Sequence, residues 1–259
     1  MNSAAIETAA AELFAAQRDR TPVTPITERY SDIDVRTAYA IQQVNLQRRL
    51  HGGARLVGRK IGLTSAPMQQ LLGVDEPDYG FILDDMVIHA NTLDRNAFCQ
   101  PRAEPEVAFL LHTALRGPGV TTAEVYAATQ AVAAALEIVD SRIADWKLTL
   151  ADTVADNASS GAVILGNWIP YSDAVDLPAA VATLSLNGVE VDTGTGAAVM
   201  GDPGTAVAWL ANALADYGTE LSAGQFVMSG SFTSAVFVDA GDEVATAIST
   251  LGSVSLTFT

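Results

Sequence analysis

The run from Pro101 to Leu111 constrains the fold of this chain most, because its pattern is that of a β-strand with charge on one face. Apolar side chains recur at every second position of its second half, at Val107, Phe109 and Leu111. Glu104 and Glu106 are two residues apart, and side chains two apart in a strand point to the same face. The run therefore predicts a strand that holds two carboxylates side by side.

Two interpretations of this pair of glutamates stay open at the level of the strand. The backbone rise sets the two side chains about 7 Å apart, so both carboxylates can lean toward one cation. A site made of oxygen ligands alone favours magnesium, manganese or calcium over zinc. The alternative is a solvated strand face with two ordinary surface glutamates, since charged side chains usually lie outside.

Composition restricts the class of protein and its partners. With 259 residues, 49% of them hydrophobic and 17% charged, the chain is typical of a globular protein with a large core. The formal charge of −16 argues against a nucleic-acid partner, because such binding needs lysine and arginine to meet phosphate. The first residues lack the pattern of a signal peptide, and no apolar stretch is long enough to span a bilayer, so we expect no membrane partner.

Cysteine and histidine are scarce. The single cysteine, Cys99, excludes an internal disulfide and favours a reducing, cytoplasmic location. We expect Cys99 to be a buried or half-buried apolar residue rather than a nucleophile. The three histidines are scattered along the sequence, which argues against a histidine-rich zinc site and against a Ser-His-Asp triad.

The order of the predicted elements indicates an α+β fold, with helices first and mostly strands after them. Amphipathic helices are predicted over Ser3–Arg18, with Ser3 as cap, and from Val35 to Leu50, with Asp34 as cap. Asp202-Pro203 begins a further helix, whose predicted buried stripe is Val207, Leu210, Leu214 and Tyr217. Asn187-Gly188 predicts a hairpin.

Lys60 lies in an apolar run between two glycines, Gly58 and Gly62. Glycines allow the backbone or a ligand to approach closely. A lysine in such surroundings is a candidate acid–base group or carboxylate anchor, because burial lowers its pKa. The alternative is a surface lysine at a strand edge.

Two further acidic residues stand out. Asp78 falls in the segment Asp75–Gly80, whose Pro, Asp and Gly content predicts a turn, so that Asp78 could simply bond its own turn backbone. Glu137 lies in an otherwise apolar strand predicted from Val132 to Val139. A buried carboxylate must be paired, neutralised or metal-bound. Glu137 is therefore a candidate third metal ligand or the partner of one of two nearby cations, Arg142 or Lys147.

Taken together, several runs resemble, in content and order, the hydratase/decarboxylase family of aromatic meta-cleavage pathways, within the fumarylacetoacetate hydrolase superfamily. The resemblance covers essentially the whole chain. The runs that carry it are Gly58–Ser65, Glu76–Gly80, Pro101–Glu106, Glu137–Arg142 and Val154–Ser159.

This resemblance implies a mixed-sheet β-roll of the fumarylacetoacetase C-terminal type that carries the site, packed against an N-terminal helical part. We expect the helical part to span residues 1–75 and the metal-binding catalytic domain to span residues 76–259. The resemblance also implies a divalent metal, Mg²⁺ or Mn²⁺, on Glu104, Glu106 and Glu137. It assigns proton transfer to Lys60 and Asp78, and contact with the substrate carboxylate to Ser231.

The implied activity is that of a hydro-lyase. It adds water to a 2-hydroxyalka-2,4-dienoate, through its 2-keto tautomer, to give a 4-hydroxy-2-oxoalkanoate. No histidine matches the context of the superfamily's hydrolases, and the related 4-oxalocrotonate decarboxylases carry an aliphatic residue where Asp78 stands. Hydratases of longer dicarboxylic substrates carry an insertion that is absent here between Arg142 and Asp156, so a monocarboxylic dienoate is expected.

Three points remain as expectations or alternatives. The resemblance implies a homo-oligomer that can associate with the pathway decarboxylase. One alternative function is a metal-dependent decarboxylase of the 4-oxalocrotonate type. The other is a catalytically silent subunit of such a complex, which the retention of all the polar site residues argues against.

Overall fold

The computed structural model describes residues 1–259, apart from the side chain of Leu71. The described residues form seven α-helices: α1 (Ser3–Asp19), α2 (Ile26–Arg29), α3 (Val35–His51), α4 (Ala66–Leu72), α5 (Thr122–Ala128), α6 (Leu150–Ala155) and α7 (Pro203–Ala215). Among the described residues, none of the helices combines the length and the apolar character that crossing a membrane would require.

The same residues form fourteen strands. They are β1 (Leu56–Gly62), β2 (Asp78–Leu83), β3 (Val87–Ile88), β4 (Thr92–Leu93), β5 (Pro101–Leu111), β6 (Thr129–Asp140), β7 (Ser160–Leu165), β8 (Ile169–Pro170), β9 (Val181–Leu186), β10 (Val189–Thr195), β11 (Phe226–Ser231), β12 (Val236–Phe237), β13 (Glu243–Ile248) and β14 (Gly252–Phe258).

The strands form two mixed sheets, which confirms the predicted α+β class. The larger sheet has the order β2-β1-β11-β5-β6-β7-β3, with β12 added beside β5 and β8 beside β6. The smaller sheet has the order β10-β9-β13-β14-β4. In the larger sheet β1 runs parallel to β11, whereas β5 is antiparallel to both β11 and β6. Strands β5 and β6 are long and central, and their register decides which side chains meet.

The core lies on both sides of the larger sheet. One buried cluster joins the helices to one face of the sheet and includes Leu13, Ile41, Phe109 and Val207. A second cluster joins the two sheets and includes Leu136, Ile138, Leu184, Val244 and Phe258. Burial of these side chains stabilises the fold by about 1.5–3 kcal/mol for each large apolar group.

Most helix signals are confirmed, and two details are wrong. Asp34 caps α3 by accepting a hydrogen bond from the Thr37 N–H, and Asp202 caps α7 through the Gly204 N–H. The cap of α1 is Asn2 rather than Ser3, because the Asn2 side chain accepts the hydrogen bond of the Ala5 N–H. Tyr217 is 42% exposed, because α7 ends at Ala215 and the stripe no longer continues there.

Two strand predictions need correction or extension. Asp78 does not lie in a turn; it is the first residue of β2, which pairs antiparallel with β1. Strand β6 extends beyond Val132–Val139 at both ends. Strand β1 precedes the expected domain boundary at residue 75, and it pairs with β2 and β11 of the larger sheet. The division at residue 75 stays a prediction.

Candidate active site

The structure brings together the three glutamates that the sequence singles out. Glu104 and Glu106 lie on β5, and the antiparallel register places Glu137 of β6 directly opposite Glu104. One carboxylate oxygen of each of the three lies within 4.8 Å of those of the other two. Glu106 is 1% exposed and Glu137 is 0% exposed, whereas Glu104 is half-buried. Glu106 and Glu137 therefore do not lie on a solvated strand face.

These carboxylates have too few partners for their charge. Glu106 Oε2 accepts a hydrogen bond of 2.8 Å from the Gly230 N–H, whereas Glu106 Oε1 and both oxygens of Glu137 have no hydrogen-bond partner among the described residues. Burial, followed by the negative charge of Glu137, raises the pKa of Glu104 to about 7. Burial also raises the pKa of both Glu106 and Glu137 above the usual value. Buried, unpaired carboxylate oxygens of this kind fit a hard divalent cation.

Lys60 lies next to this cluster and is buried. Its Nζ donates a hydrogen bond of 2.9 Å to the Ala158 carbonyl oxygen. The same Nζ lies 3.5 Å from Glu137 Oε2, an ion-pair distance without good hydrogen-bond geometry. The structure therefore excludes a surface lysine at a strand edge.

The pKa of Lys60 is shifted in the direction opposite to the sequence prediction. Burial acts to lower the pKa of Lys60, but the nearby negative charges outweigh it and raise this pKa above the usual value. The charges are those of Glu137, Asp78, Glu104 and Glu106. A local sequence pattern shows the apolar neighbours of a lysine but not the carboxylates that strand pairing brings to it.

The segment Asn157–Ser159 places the carbonyl group that binds Lys60. Its three residues all have left-handed backbone conformation, with φ of 58°, 49° and 54°. A run of left-handed non-glycine residues is unfavourable and needs support from its surroundings. The Asn157 side chain supplies it, accepting from the Phe81 N–H at 2.8 Å and donating to the Phe81 carbonyl at 3.0 Å. Asn157 thereby links this segment to β2.

Asp78 also points into the buried region. Its Oδ2 accepts a hydrogen bond of 3.2 Å from the Thr153 hydroxyl of α6, and its exposed fraction is 2%. Burial raises the pKa of Asp78, and the positive charge of Lys60 opposes that rise. Asp78 is therefore not a local turn cap.

Gly62 shows how close Asp78 and Lys60 are. A Cβ atom at Gly62 would lie 2.3 Å from Asp78 Oδ1 and 3.1 Å from Lys60 Nζ. The acid and the ammonium group thus flank the same point, and only glycine leaves room for both.

Ser231 lies beside the cluster, because it pairs with Glu106 across β11 and β5. Its hydroxyl donates a hydrogen bond of 2.9 Å to the Thr233 carbonyl. The expected contact of Ser231 with a substrate carboxylate stays a prediction, as do the roles of the glutamates, Lys60 and Asp78.

Two alternatives for Glu137 are wrong. Arg142 forms its ion pair with Asp156, at 2.6 Å, and Lys147 forms its own with Asp145, at 3.4 Å. Glu137 instead faces Lys60 and the other glutamates.

Cys99 is half-buried, as expected. Burial, followed by the charge of Asp140, raises the pKa of its thiol to about 12. The thiolate form needed for a nucleophile is therefore strongly disfavoured.

Sequence reasoning missed the polar groups that hold the site from other elements. Thr153, Asn157 and Gly230 contact Asp78, Phe81 and Glu106 respectively, all of them distant in sequence. The Val154–Ser159 run belongs to the motif that carries the family resemblance, but nothing in its local pattern reveals the Asn157 contacts. Arg102 lies on the glutamate face of β5 and was not singled out either.

The family model and the relatives that match this chain point to the same family. Residues 69–259 match the family model for the C-terminal part of fumarylacetoacetate (FAA) hydrolase. A 2-hydroxyhexa-2,4-dienoate hydratase of Comamonas testosteroni is 43% identical over 257 residues, which cover 98% of this chain and 97% of that protein. A 2-keto-4-pentenoate hydratase of Paraburkholderia xenovorans (strain LB400) is 44% identical over 253 residues, which cover 97% of this chain and 94% of that protein.

A solved structure agrees along the whole length. The 4-oxalocrotonate decarboxylase from Pseudomonas putida G7, complexed with magnesium and adipate, superposes with a TM-score of 0.96 at 33% identity. The superposition covers 100% of this chain and 99% of that chain. The fold, the sequence motifs and the relatives all agree, and the chain belongs to the hydratase/decarboxylase family of the fumarylacetoacetate hydrolase superfamily.

Proposed function

We propose that the protein is a hydro-lyase that adds water to a 2-hydroxyalka-2,4-dienoate, through its 2-keto tautomer, to give a 4-hydroxy-2-oxoalkanoate. The observation that carries this proposal is the position of Asp78 and Lys60, which flank one point beside the cluster of three glutamates. Hydration needs groups that take a proton from water and deliver one to carbon. Relatives named as hydratases at 43% and 44% identity support it.

Glu104, Glu106 and Glu137 would hold one divalent metal, Mg²⁺ or Mn²⁺. The fit rests on the buried, unpartnered oxygens of Glu106 and Glu137 and on a donor set made only of carboxylates. When bound, the cation supplies Lewis-acid polarisation of the substrate's 2-oxygen. The decarboxylase of similar structure is complexed with magnesium, which supports this assignment.

Lys60 and Asp78 would move the protons. Hydration places a hydroxyl group on C4 of the 2-keto tautomer and a proton on C3, so one group must accept a proton and another must release one. Asp78 has a raised pKa because it is buried, which suits a carboxyl group that takes up a proton and returns it. Lys60 is held by Ala158 and is the second proton carrier. Ser231 would contact the substrate carboxylate.

The substrate is a monocarboxylic dienoate in this proposal. Arg142 and Asp156 flank the place where hydratases of longer dicarboxylic substrates carry an insertion, and here they form a buried ion pair of 2.6 Å. The Arg142 guanidinium also donates to the Ser160 carbonyl at 2.9 Å. The lack of that insertion between Arg142 and Asp156 supports a site for short substrates.

Decarboxylation of a 4-oxalocrotonate-type substrate is the second candidate, favoured by the TM-score of 0.96 with such an enzyme. The test offers purified protein with Mg²⁺ two substrates separately, 2-hydroxypenta-2,4-dienoate and 4-oxalocrotonate. We expect loss of the dienoate and no release of carbon dioxide from either. Release of carbon dioxide from 4-oxalocrotonate, with the dienoate left intact, would establish the decarboxylase instead.

The cellular setting is also part of the proposal. We place the protein in the cytoplasm because its one cysteine fits a reducing compartment. We propose a homo-oligomer that can associate with the decarboxylase of the same aromatic meta-cleavage pathway. Size-exclusion chromatography of the protein alone, and of its mixture with that decarboxylase, tests both points.

A further inference from the structure

Arg102 lies at the edge of the glutamate cluster. It precedes Glu104 by two residues on β5, so its side chain shares the face of Glu104 and Glu106. Across the strand pair its neighbour is Phe237 of β12. Glu106 is 1% exposed, whereas Arg102 is only partly buried, so the row of side chains runs from the interior toward the surface.

Two aromatic rings hold the Arg102 guanidinium between them. Its central carbon lies 4.2 Å from the ring centroid of Trp146 and 4.0 Å from that of Phe237. The Trp146 indole N–H donates to the Gln100 carbonyl at 3.2 Å, which fixes the ring. Stacking on both faces fixes the plane of a guanidinium and leaves its edge free to donate hydrogen bonds.

Arg102 has no acidic partner among the described residues. Other arginines of the chain form ion pairs, such as Arg142 with Asp156 and Arg116 with Glu220. The Arg102 Nε is buried and donates no hydrogen bond within the described part of the chain. A buried donor without a partner is costly, which indicates that a ligand supplies the acceptor.

The net charge of the site is a reason why an anionic ligand would need Arg102. With all groups ionised, four carboxylates, the Lys60 ammonium and one divalent cation leave one net negative charge. A substrate with its own carboxylate would be repelled by this charge. The Arg102 guanidinium, which shares the face of β5 with Glu104 and Glu106, offsets this charge.

We propose that Arg102 is an anion-recognition residue of this site, which binds the single carboxylate of the substrate, in addition to Ser231, through the free edge of its clamped guanidinium. This proposal rests on the proposed function for the identity of the substrate. It adds a residue that acts on substrate affinity and specificity for anions, rather than on proton transfer.

The test compares Arg102→Met and Arg102→Lys with Arg116→Met, a control that removes one exposed arginine, which pairs with Glu220 rather than lying on the glutamate face of β5. KM and kcat are measured for 2-hydroxypenta-2,4-dienoate at saturating Mg²⁺. Binding of pyruvate and of uncharged methyl pyruvate to the Mg²⁺-loaded protein is measured by calorimetry. Thermal unfolding and Mg²⁺ affinity check that each variant is folded and holds the metal.

We expect Arg102→Met to raise KM and weaken pyruvate binding roughly 10- to 100-fold, the loss of one charge-assisted hydrogen bond, with a much smaller change in kcat. Methyl pyruvate binding should stay unchanged, Arg102→Lys should recover part of the loss, and Arg116→Met should match the parent. Phe237→Ala, which removes one face of the clamp, should raise KM only a few-fold.

A folded Arg102→Met variant with parental KM and parental pyruvate affinity would overturn the proposal, as would an equal loss of both ligands. If the parent protein binds pyruvate, Arg102→Met weakens that binding, and the parent does not hydrate the dienoate, anion recognition by Arg102 stands and the proposed function is wrong. A parent that binds neither pyruvate nor the dienoate contradicts both.

Discussion

At the scale of single residues, the site is defined by buried charges that compensate one another only in part. Three glutamates and Asp78 surround the ammonium group of Lys60, and several of their oxygens have no partner among the described residues. Isolated buried charges are costly, so a cluster of this kind is stable only with further compensation. In the proposed function, a divalent cation held by the glutamates and the Arg102 guanidinium at the edge of the cluster both supply positive charge that offsets these carboxylates.

Glu106→Gln tests the metal site. Because an amide is neutral and binds hard cations poorly, we expect Mg²⁺ affinity to fall sharply and hydration to be lost. Calorimetric titration with Mg²⁺ and the decay of dienoate absorbance measure the two effects. Glu190→Gln, at an exposed position of β10, is the matched control and should behave like the parent. Parental affinity and turnover in Glu106→Gln would show that the metal does not bind there.

Asp78→Asn tests proton transfer. Asparagine keeps an oxygen for the Thr153 hydroxyl but cannot carry a proton, so we expect a folded, metal-binding protein whose kcat falls by at least about 100-fold. Thr153→Val, which removes only the donor to Asp78, separates positioning from chemistry and should lower kcat less. If the kcat of Asp78→Asn for hydration stays within a few-fold of the parental value, Asp78 is a structural residue.

At the scale of elements, the site depends on a short segment that is unfavourable by itself. Asn157–Ser159 has three left-handed residues in succession, and it presents the Ala158 carbonyl to Lys60. Its support comes from β2, because the Asn157 side chain bonds both backbone groups of Phe81. An element that the rest of the fold holds in place in this way can position a catalytic group.

Asn157→Ala tests this support. The change leaves the Phe81 N–H and carbonyl groups without their partner, at a cost of about 1–3 kcal/mol for each buried group. We expect a lower Tm and a lower kcat, since the Ala158 carbonyl no longer holds Lys60 firmly. Asn96→Ala, at an exposed position, is the control and should leave both quantities unchanged. Parental kcat in a destabilised Asn157→Ala would mean that the segment does not position Lys60.

At the scale of the whole molecule, burial couples the stability of the fold to pH and to metal. Burial raises the pKa of Glu104 to about 7 in the metal-free protein, and raises those of Glu106 and Glu137 as well. An unfolded glutamate has a pKa of about 4.3, so the folded state holds extra protons between about pH 4.3 and 7. The metal-free fold should therefore lose stability as pH rises through this window.

Metal binding should show the opposite dependence on pH, because it needs deprotonated carboxylates. We expect the increase in Tm on adding Mg²⁺ to be small near pH 5 and large near pH 8, measured by calorimetry at each pH with and without the ion. At each pH, subtracting the Tm without Mg²⁺ from the Tm with Mg²⁺ cancels the contribution of carboxylates that do not bind the ion. Glu104→Gln should flatten the dependence. An equal increase in Tm at both pH values would contradict the raised pKa values.

What the sequence by itself determined depends on short-range periodicity and on turn and cap chemistry. Alternation over Pro101–Leu111 places Glu104 and Glu106 on one face, and the apolar run around Glu137 marks a carboxylate that needs a partner. The caps Asp34 and Asp202 follow from local hydrogen bonding. The family resemblance added Lys60 and Asp78, which local patterns left open between structural and catalytic roles.

Only the tertiary structure decided which of these groups meet. The register of β5 and β6 sets Glu104 opposite Glu137, and the pairing of β1 with β2 sets Asp78 near Lys60. The raised pKa of Lys60 and the clamp around Arg102 follow from that assembly. The physical reason is that strand pairing, burial and electrostatic compensation depend on residues far apart in sequence, whereas local patterns report only the nearest neighbours.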